Sequence, residues 1–294
     1  MRIVRRPVCA AVFVLPLLLA GCSLLPTTRH LPVPRPMTVQ SATPRELVNQ
    51  INQNWDALNN MTAKVEIQAT VLKTAEGVER DYPTIRGFIV MRKPNKLRIV
   101  GTDFGVTVFD MASDGIHFTL LIPHDNTAFE GPNTVKEKDP EHPFYNLRPD
   151  FFLDAIAVRG LDSGNEYMVA GDSETIEDPA RKHLYIEQEY TLSVMQPKAG
   201  PEKLPLRVIT FHRDDMLPYD QDVYDSQGNL ETQITYRNYV EFGAVKYPSK
   251  ITIRRPQEGI LLVLTVDDVQ ENVDVSDSQF QVKIPQGTTI KQLK

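Results

Sequence analysis

Two aspartate pairs, Asp214-Asp215 and Asp220 with Asp222, bracket Met216-Leu217-Pro218-Tyr219. Paired carboxylates do acid–base work when buried and aimed at a substrate. These sit at a turn, where aspartate is favoured because its side chain bonds its own backbone. The histidines His30, His117, His124, His142, His183 and His212 are scattered without the spacing of a metal-ligand set. The acidic stretch Asp267-Asp268, Glu271, Asp274, Asp277 lacks the glycine and spacing of a calcium loop. No G-x-S-x-G, H-E-x-x-H, Walker-type phosphate loop or dinucleotide fingerprint occurs. The expectation is a non-enzyme with no metal and no bound cofactor. One reactive group stands in a suggestive setting, the thiol of Cys22.

Cys22 closes the run Leu18-Leu19-Ala20-Gly21-Cys22, after Arg2, Arg5, Arg6 and an apolar stretch over 8–20. A basic head, a short apolar middle and small residues before a cut make a secretory leader. The apolar stretch holds 13 residues and includes Pro16. A spanning helix needs roughly 20. The pattern resembles a bacterial lipobox. In lipoproteins of that kind the thiol receives a diacylglycerol, the leader is removed, and the cysteine becomes the acylated N-terminus. Residues 1–21 are therefore expected to be a signal peptide, with Cys22 carrying an N-acyl diacylglycerol. Several acyl chains anchor stably where one is marginal. Ser23 follows where an inner-membrane retention signal would place Asp. The expected location is the periplasmic face of the outer membrane.

The whole chain carries a formal charge of −6, and losing the leader removes three arginines and no acid, giving −9. An acidic body without basic runs argues against nucleic acid and against electrostatic docking on anionic lipid. The other cysteine, Cys9, lies in the leader. The mature chain then has neither free thiol nor disulfide and must rely on a packed core.

Residues 22–43 hold Pro26, Pro32, Pro34 and Pro36 and read as a semi-extended tether. Thr43-Pro44-Arg45-Glu46 is a helix start: Thr at N-cap, Pro at N1, Glu at N3 in a capping box. Leu47, Val48, Ile51, Trp55 and Leu58 recur on one face, predicting a helix to about residue 60. Strands are predicted at 64–72, 85–91, 96–100, 106–111 and 116–122. A second set falls at 166–169, 182–195, 206–212, 221–225, 230–242, 249–254, 259–267 and 279–284. A short helix over 149–157 would carry Phe151, Phe152 and Ile156. Close spacing predicts antiparallel pairing, with the helices in the concave side of a curved sheet. Several strands, such as 88–91, are apolar on both faces. That means either a sandwich core or a sheet around an apolar cavity.

The segment Lys93-Pro94-Asn95-Lys96-Leu97-Arg98-Ile99 resembles the x-P-x-x-x-R strand start of the lipoprotein-localisation (LolA/LolB) family of periplasmic carriers and outer-membrane receptors. Ser113-Asp114-Gly115, a strand over 116–122 and then Pro123 match the family's next hairpin. Tyr236 to Tyr239 followed by Tyr247-Pro248 resembles its late strands. Phe280 to Ile284 with Pro285-Gln286-Gly287 resembles its closing strand and tail. The likeness spans most of 44–294, with extra residues around 124–150 and 172–206.

The resemblance implies a mainly β, α+β fold: a curved antiparallel half-barrel of about eleven strands, enclosing an apolar cavity under a helical lid. In the family that cavity receives acyl chains. Candidate cavity residues here are Trp55, Phe88, Val90, Ile99, Phe118 and Leu120. By the same resemblance Arg98 would hold the lid by hydrogen bonds to helical backbone. Phe104, in Asp103-Phe104-Gly105, would be a membrane-facing loop residue. The implied role is a membrane-anchored carrier or receptor for lipid or lipoprotein acyl chains. The fold also serves structural and regulatory envelope proteins, so a lipoprotein that binds an envelope protein partner is the second reading.

Overall fold

The computed structural model describes residues 39–73, 77–139, 141–178, 183–196 and 203–294. The leader, Cys22 and most of the expected tether lie outside them. The described residues within 39–174 and 187–294 form one compact unit.

Helix α1 (Pro44–Ala57) begins as predicted, with the Thr43 side chain accepting from the Glu46 N–H and Glu46 reaching back to the Thr43 N–H. It ends before residue 60, at a Leu58 C-cap. Residues 40–42 are not part of a free tether. The Gln40 N–H donates to the Arg213 carbonyl (2.7 Å) and Arg213 Nε donates to the Gln40 carbonyl (3.0 Å).

Next come β1 (Asn60–Lys73), β2 (Val78–Asp81), β3 (Ile85–Arg92), β4 (Lys96–Asp103), β5 (Val106–Ser113), β6 (His117–Ile122) and β7 (Thr127–Pro132). A 3-10 turn at Pro143–Asn146 leads into α2 (Pro149–Ile156), the predicted short helix. The rest is β8 (Glu166–Asp178), β9 (His183–Met195), β10 (Pro205–His212), β11 (Pro218–Tyr224), β12 (Leu230–Phe242), β13 (Val245–Arg255), β14 (Ile260–Glu271), a 3-10 turn at Asp277–Phe280, and β15 (Thr289–Gln292).

The strands form one open, curled sheet in the order 15-7-6-5-4-3-1-14-13-12-11-10-9-8, with β2 paired to β1. Fifteen strands among the described residues exceed the eleven or so implied by the resemblance. The expected strand over 279–284 is a 3-10 turn and extended chain. The closing strand is β15, parallel to β7 with Thr289 opposite Thr127, so the sheet is mixed.

The inner face of β1, β3–β7 and β12–β14 forms the main core with α2. Phe151, Phe152, Leu153 and Ile156 bury against Ile99, Phe118, Leu120 and Leu264. Each fully buried large side chain contributes about 1.5–3 kcal/mol. A second cluster sets Leu47 and Ile51 of α1 on Leu192, Val194, Ile209 and Phe211 of β9 and β10. The two cores are joined by a polar knot on α2. Asp154 Oδ1 lies 2.9 Å from Arg159 Nε and 3.5 Å from Arg207 Nη2 of β10. Its carbonyl accepts from Gln221 Nε2 (2.8 Å) and from the Tyr236 hydroxyl (3.4 Å). Arg207 is 13% and Asp154 17% exposed, so neither ion has water as a ready substitute partner. Asp154→Ala should therefore destabilise the fold by about 2–4 kcal/mol, read as a lowered urea midpoint with unchanged slope.

Candidate functional site

The β4–β5 turn sets one end of the sheet. Phe104 (φ 44°) and Gly105 (φ 82°) both adopt left-handed backbone, the signature of a two-residue type I′ turn. That first position suits Asn, Asp or Gly. A bulky residue there costs about 1–2 kcal/mol. The Phe104 ring is fully exposed, and Val106 beside it is largely exposed. The side chain is thus unfavourable twice over, in backbone strain and in hydration.

Asp103 and Val108, flanking the turn, line a cavity of about 270 Å³. Its other walls include Ile67, Ala69, Tyr82, Ile85, Phe109 and Phe144, and Asp103 is its only charged lining residue. Tyr82 and Phe144 meet edge-on at 4.8 Å and form one wall. Glycines on the inner sheet face explain the space. Gly87 and Gly101 pair across β3 and β4. A Cβ at Gly101 would lie 2.4 Å from the Phe109 ring and 2.8 Å from Ile85. Lining side chains therefore lie down on bare backbone and leave room above. An isolated glycine inside a strand pattern signals such close approach, and it is the sequence cue that could have found this site.

A second cavity of about 390 Å³ is lined by Trp55, Leu58, Tyr236, Tyr239, Tyr247 and Glu271, among others. The tyrosine hydroxyls are tied to carbonyls: Tyr239 to Pro218 (2.5 Å) and Tyr247 to Ile156 (2.6 Å). Their ring faces are therefore fixed. Burial pushes the Glu271 carboxyl above its ordinary range.

Of the residues expected to line a cavity, Trp55 lines this second one. Ile99, Phe118 and Leu120 face inward but are sealed in the main core. Phe88 and Val90 do not face the interior. Ile89 and Met91 do, and alternation puts Phe88 and Val90 on the outer face. There Val90 packs under Val275 and Phe280 of the C-terminal segment, and Phe88 is exposed.

Neither a protein-family model nor a curated protein matches the chain. Among solved structures, a LolA superfamily protein from Nitrosomonas europaea matches with a TM-score of 0.50 at 13% identity, over 82% of this chain and 99% of that one. The chain shares the fold of that protein. A DUF1329 family protein from Desulfovibrio piger gives 0.49 at 14% identity, over 81% of this chain and 95% of that one. An outer membrane lipoprotein-sorting protein domain from Vibrio parahaemolyticus gives 0.46 at 13%, over 81% and 97%.

Within this fold, Arg98 does not hold a helical lid. Its neighbours Leu97 and Ile99 face inward, so Arg98 projects from the outer face. It binds Asp110 through two parallel contacts (3.0 and 2.8 Å) and donates to the Gln279 carbonyl (3.3 Å). Its work is to pin the C-terminal 3-10 turn to the sheet. Lys96 and Arg92 both pair with Asp277 in the same turn and hold its carboxyl below the usual range. Arg98→Ala strands the largely buried Asp110 carboxylate. It should cost about 2 kcal/mol in urea unfolding, short of a fully buried pair because Arg98 is 26% exposed.

Proposed function

We propose that this protein is a lipoprotein, anchored through acylated Cys22 to the periplasmic face of the outer membrane. It takes up acyl chains of lipids or lipoproteins at the Phe104 end of its sheet and passes them to the membrane. The observation that carries the reading is the pairing of a strained, exposed aromatic turn with an apolar cavity whose rim begins at the adjacent residue. Each methylene moved from water into that cavity contributes about 0.8 kcal/mol. Phe104 would sit in the bilayer at the moment of transfer, where its exposed ring is favourable. No bond is made or broken, and the reading is of a non-enzyme. The shared fold with a LolA superfamily protein supports it.

A second reading is a structural or regulatory lipoprotein that binds an envelope protein. It draws support from the core, where Ile99, Phe118 and Leu120 are fully buried among the protein's own side chains. The terminal strand β8 would then offer an edge for strand addition.

Residues 37–294, exported without the anchor, separate the two by native mass spectrometry and by uptake of a fluorescent fatty-acyl probe. The carrier reading expects bound lipid or probe. Ala69→Phe, which fills the cavity, should abolish uptake with the fold intact, and Phe88→Lys on the outer face should leave it unchanged. Clean protein that takes up no probe moves the conclusion to the partner-binding reading.

The turn gives a sharper test. Phe104→Asn installs the preferred Asn-Gly pair and should raise stability by about 1 kcal/mol. The same change should slow probe transfer to vesicles severalfold in stopped-flow fluorescence. Unchanged transfer would remove the ring from the mechanism.

A further inference from the structure

β9 and β10 lie side by side, with Glu189 opposite His212 in the register. Alternation along a strand puts Glu187 on the same face as Glu189. The two carboxylates flank one imidazole. His212 Nδ1 lies 2.6 Å from Glu187 Oε1, and His212 Nε2 lies 3.5 Å from Glu189 Oε1. One donor atom from each residue can be chosen so that all three fall within 4.8 Å of one another. The side chains are 13%, 17% and 24% exposed for His212, Glu187 and Glu189, a partly dehydrated setting in which an ion–ligand bond is not simply replaced by water. No other group of this kind occurs among the described residues.

Further features suit a cation here. The Tyr219 ring stacks on the imidazole, with centroids 3.3 Å apart and planes within 13°, and is backed by Tyr239 at 5.7 Å. The stack fixes the plane of the ring, as outer partners do at metal sites. Asp214, Asp215 and Asp220 favour positive charge at His212, and Arg237 opposes it. One imidazole with two carboxylates is a nitrogen–oxygen donor set. It matches divalent zinc, cobalt or manganese better than soft or purely oxygen-loving ions.

We infer that Glu187, Glu189 and His212 form a divalent-cation site that clamps β9 to β10 and leaves a coordination position open to water. An ion sits on one ring nitrogen, so the carboxylate now facing the other nitrogen must turn towards it, and the close His212–Glu187 contact must open to admit ligands at about 2.0–2.2 Å. Rotation about the glutamate side chains supplies that movement.

The test uses the untagged full chain in detergent, stripped with a chelator, with Co(II) and Zn(II) salts as the probes. The expected result is one equivalent of Co(II) bound with visible absorption bands and displaced by Zn(II). His212→Ala and Glu189→Gln should each weaken binding at least tenfold, with unchanged circular dichroism of the stripped proteins. X-ray absorption at the zinc edge of the parent keeps the test independent of the variants. It should report one imidazole among oxygen ligands. Absence of Co(II) and Zn(II) binding overturns the site. So does binding retained in the triple variant H212A/E187Q/E189Q, or a zinc shell without imidazole.

Discussion

An open sheet this long can exist only if its apolar inner face is covered; α1 covers β9 and β10, and α2 covers the main core. Four of its eight residues, Phe151, Phe152, Leu153 and Ile156, are large apolar groups in the main core. A helix this short is not stable alone and borrows its stability from packing. Its position therefore has to be imposed from both ends. At the N-terminal end, buried Arg148 donates to the carbonyls of Tyr145, Leu147 and Glu137 (2.7–2.9 Å) and lies over the Phe118 ring. Burial pushes its guanidinium down to about 10, still far above neutral, so the cation and its donors persist. Toward the C-terminal end, Asp154 ties the helix to β10, β11 and β12. Apolar burial supplies most of the energy, and these polar contacts select where it is gained.

The outer face has its own cover. The C-terminal segment crosses β3 and β4, where Phe280 lies within 5.1 Å of the Arg92 guanidinium and 5.9 Å of the Lys96 ammonium. It ends as β15 along β7, closing an edge that would otherwise offer unpaired backbone groups. The exposed Phe104 and Val106 at the β4–β5 turn contrast with this covered stretch of the outer face.

Local signals carried far in the sequence. The capping box at Thr43 and Glu46, the Pro149 helix start and most of the turns fix short stretches of backbone, and each is legible without tertiary context. Facing was harder. Phe88 to Met91 is apolar on both sides because Ile89 and Met91 meet α2's core while Val90 meets Val275 and Phe280, nearly two hundred residues away in sequence. A segment that returns from so far leaves no periodicity to read, so the apolar outer face looked like a second cavity wall. The resemblance puts Arg98 against a lid, whereas its partners are Asp110 on the neighbouring strand and Gln279 at the far end of the chain. β15 is four exposed residues without alternation and shows only through its pairing. Glu187, Glu189 and His212 meet through strand register, which no ligand spacing along the chain encodes.

The size of the cavity beside Phe104 bears on how a carrier of this kind would work. At about 270 Å³ it lies just below the roughly 300 Å³ where small-molecule sites begin. The main core beside it is already filled, so a long acyl chain could bury only part of its length without displacing Phe109 or Phe144. Each methylene left outside forgoes about 0.8 kcal/mol that the bilayer interior would supply. For such a carrier, partial burial would make the membrane the lower-energy destination and give transfer a direction without an energy source. A deeper pocket would hold cargo more tightly and release it more slowly. On this reading, the sealed packing around Ile99, Phe118 and Leu120 is what limits affinity, and the strained Phe104 turn marks where the chain leaves.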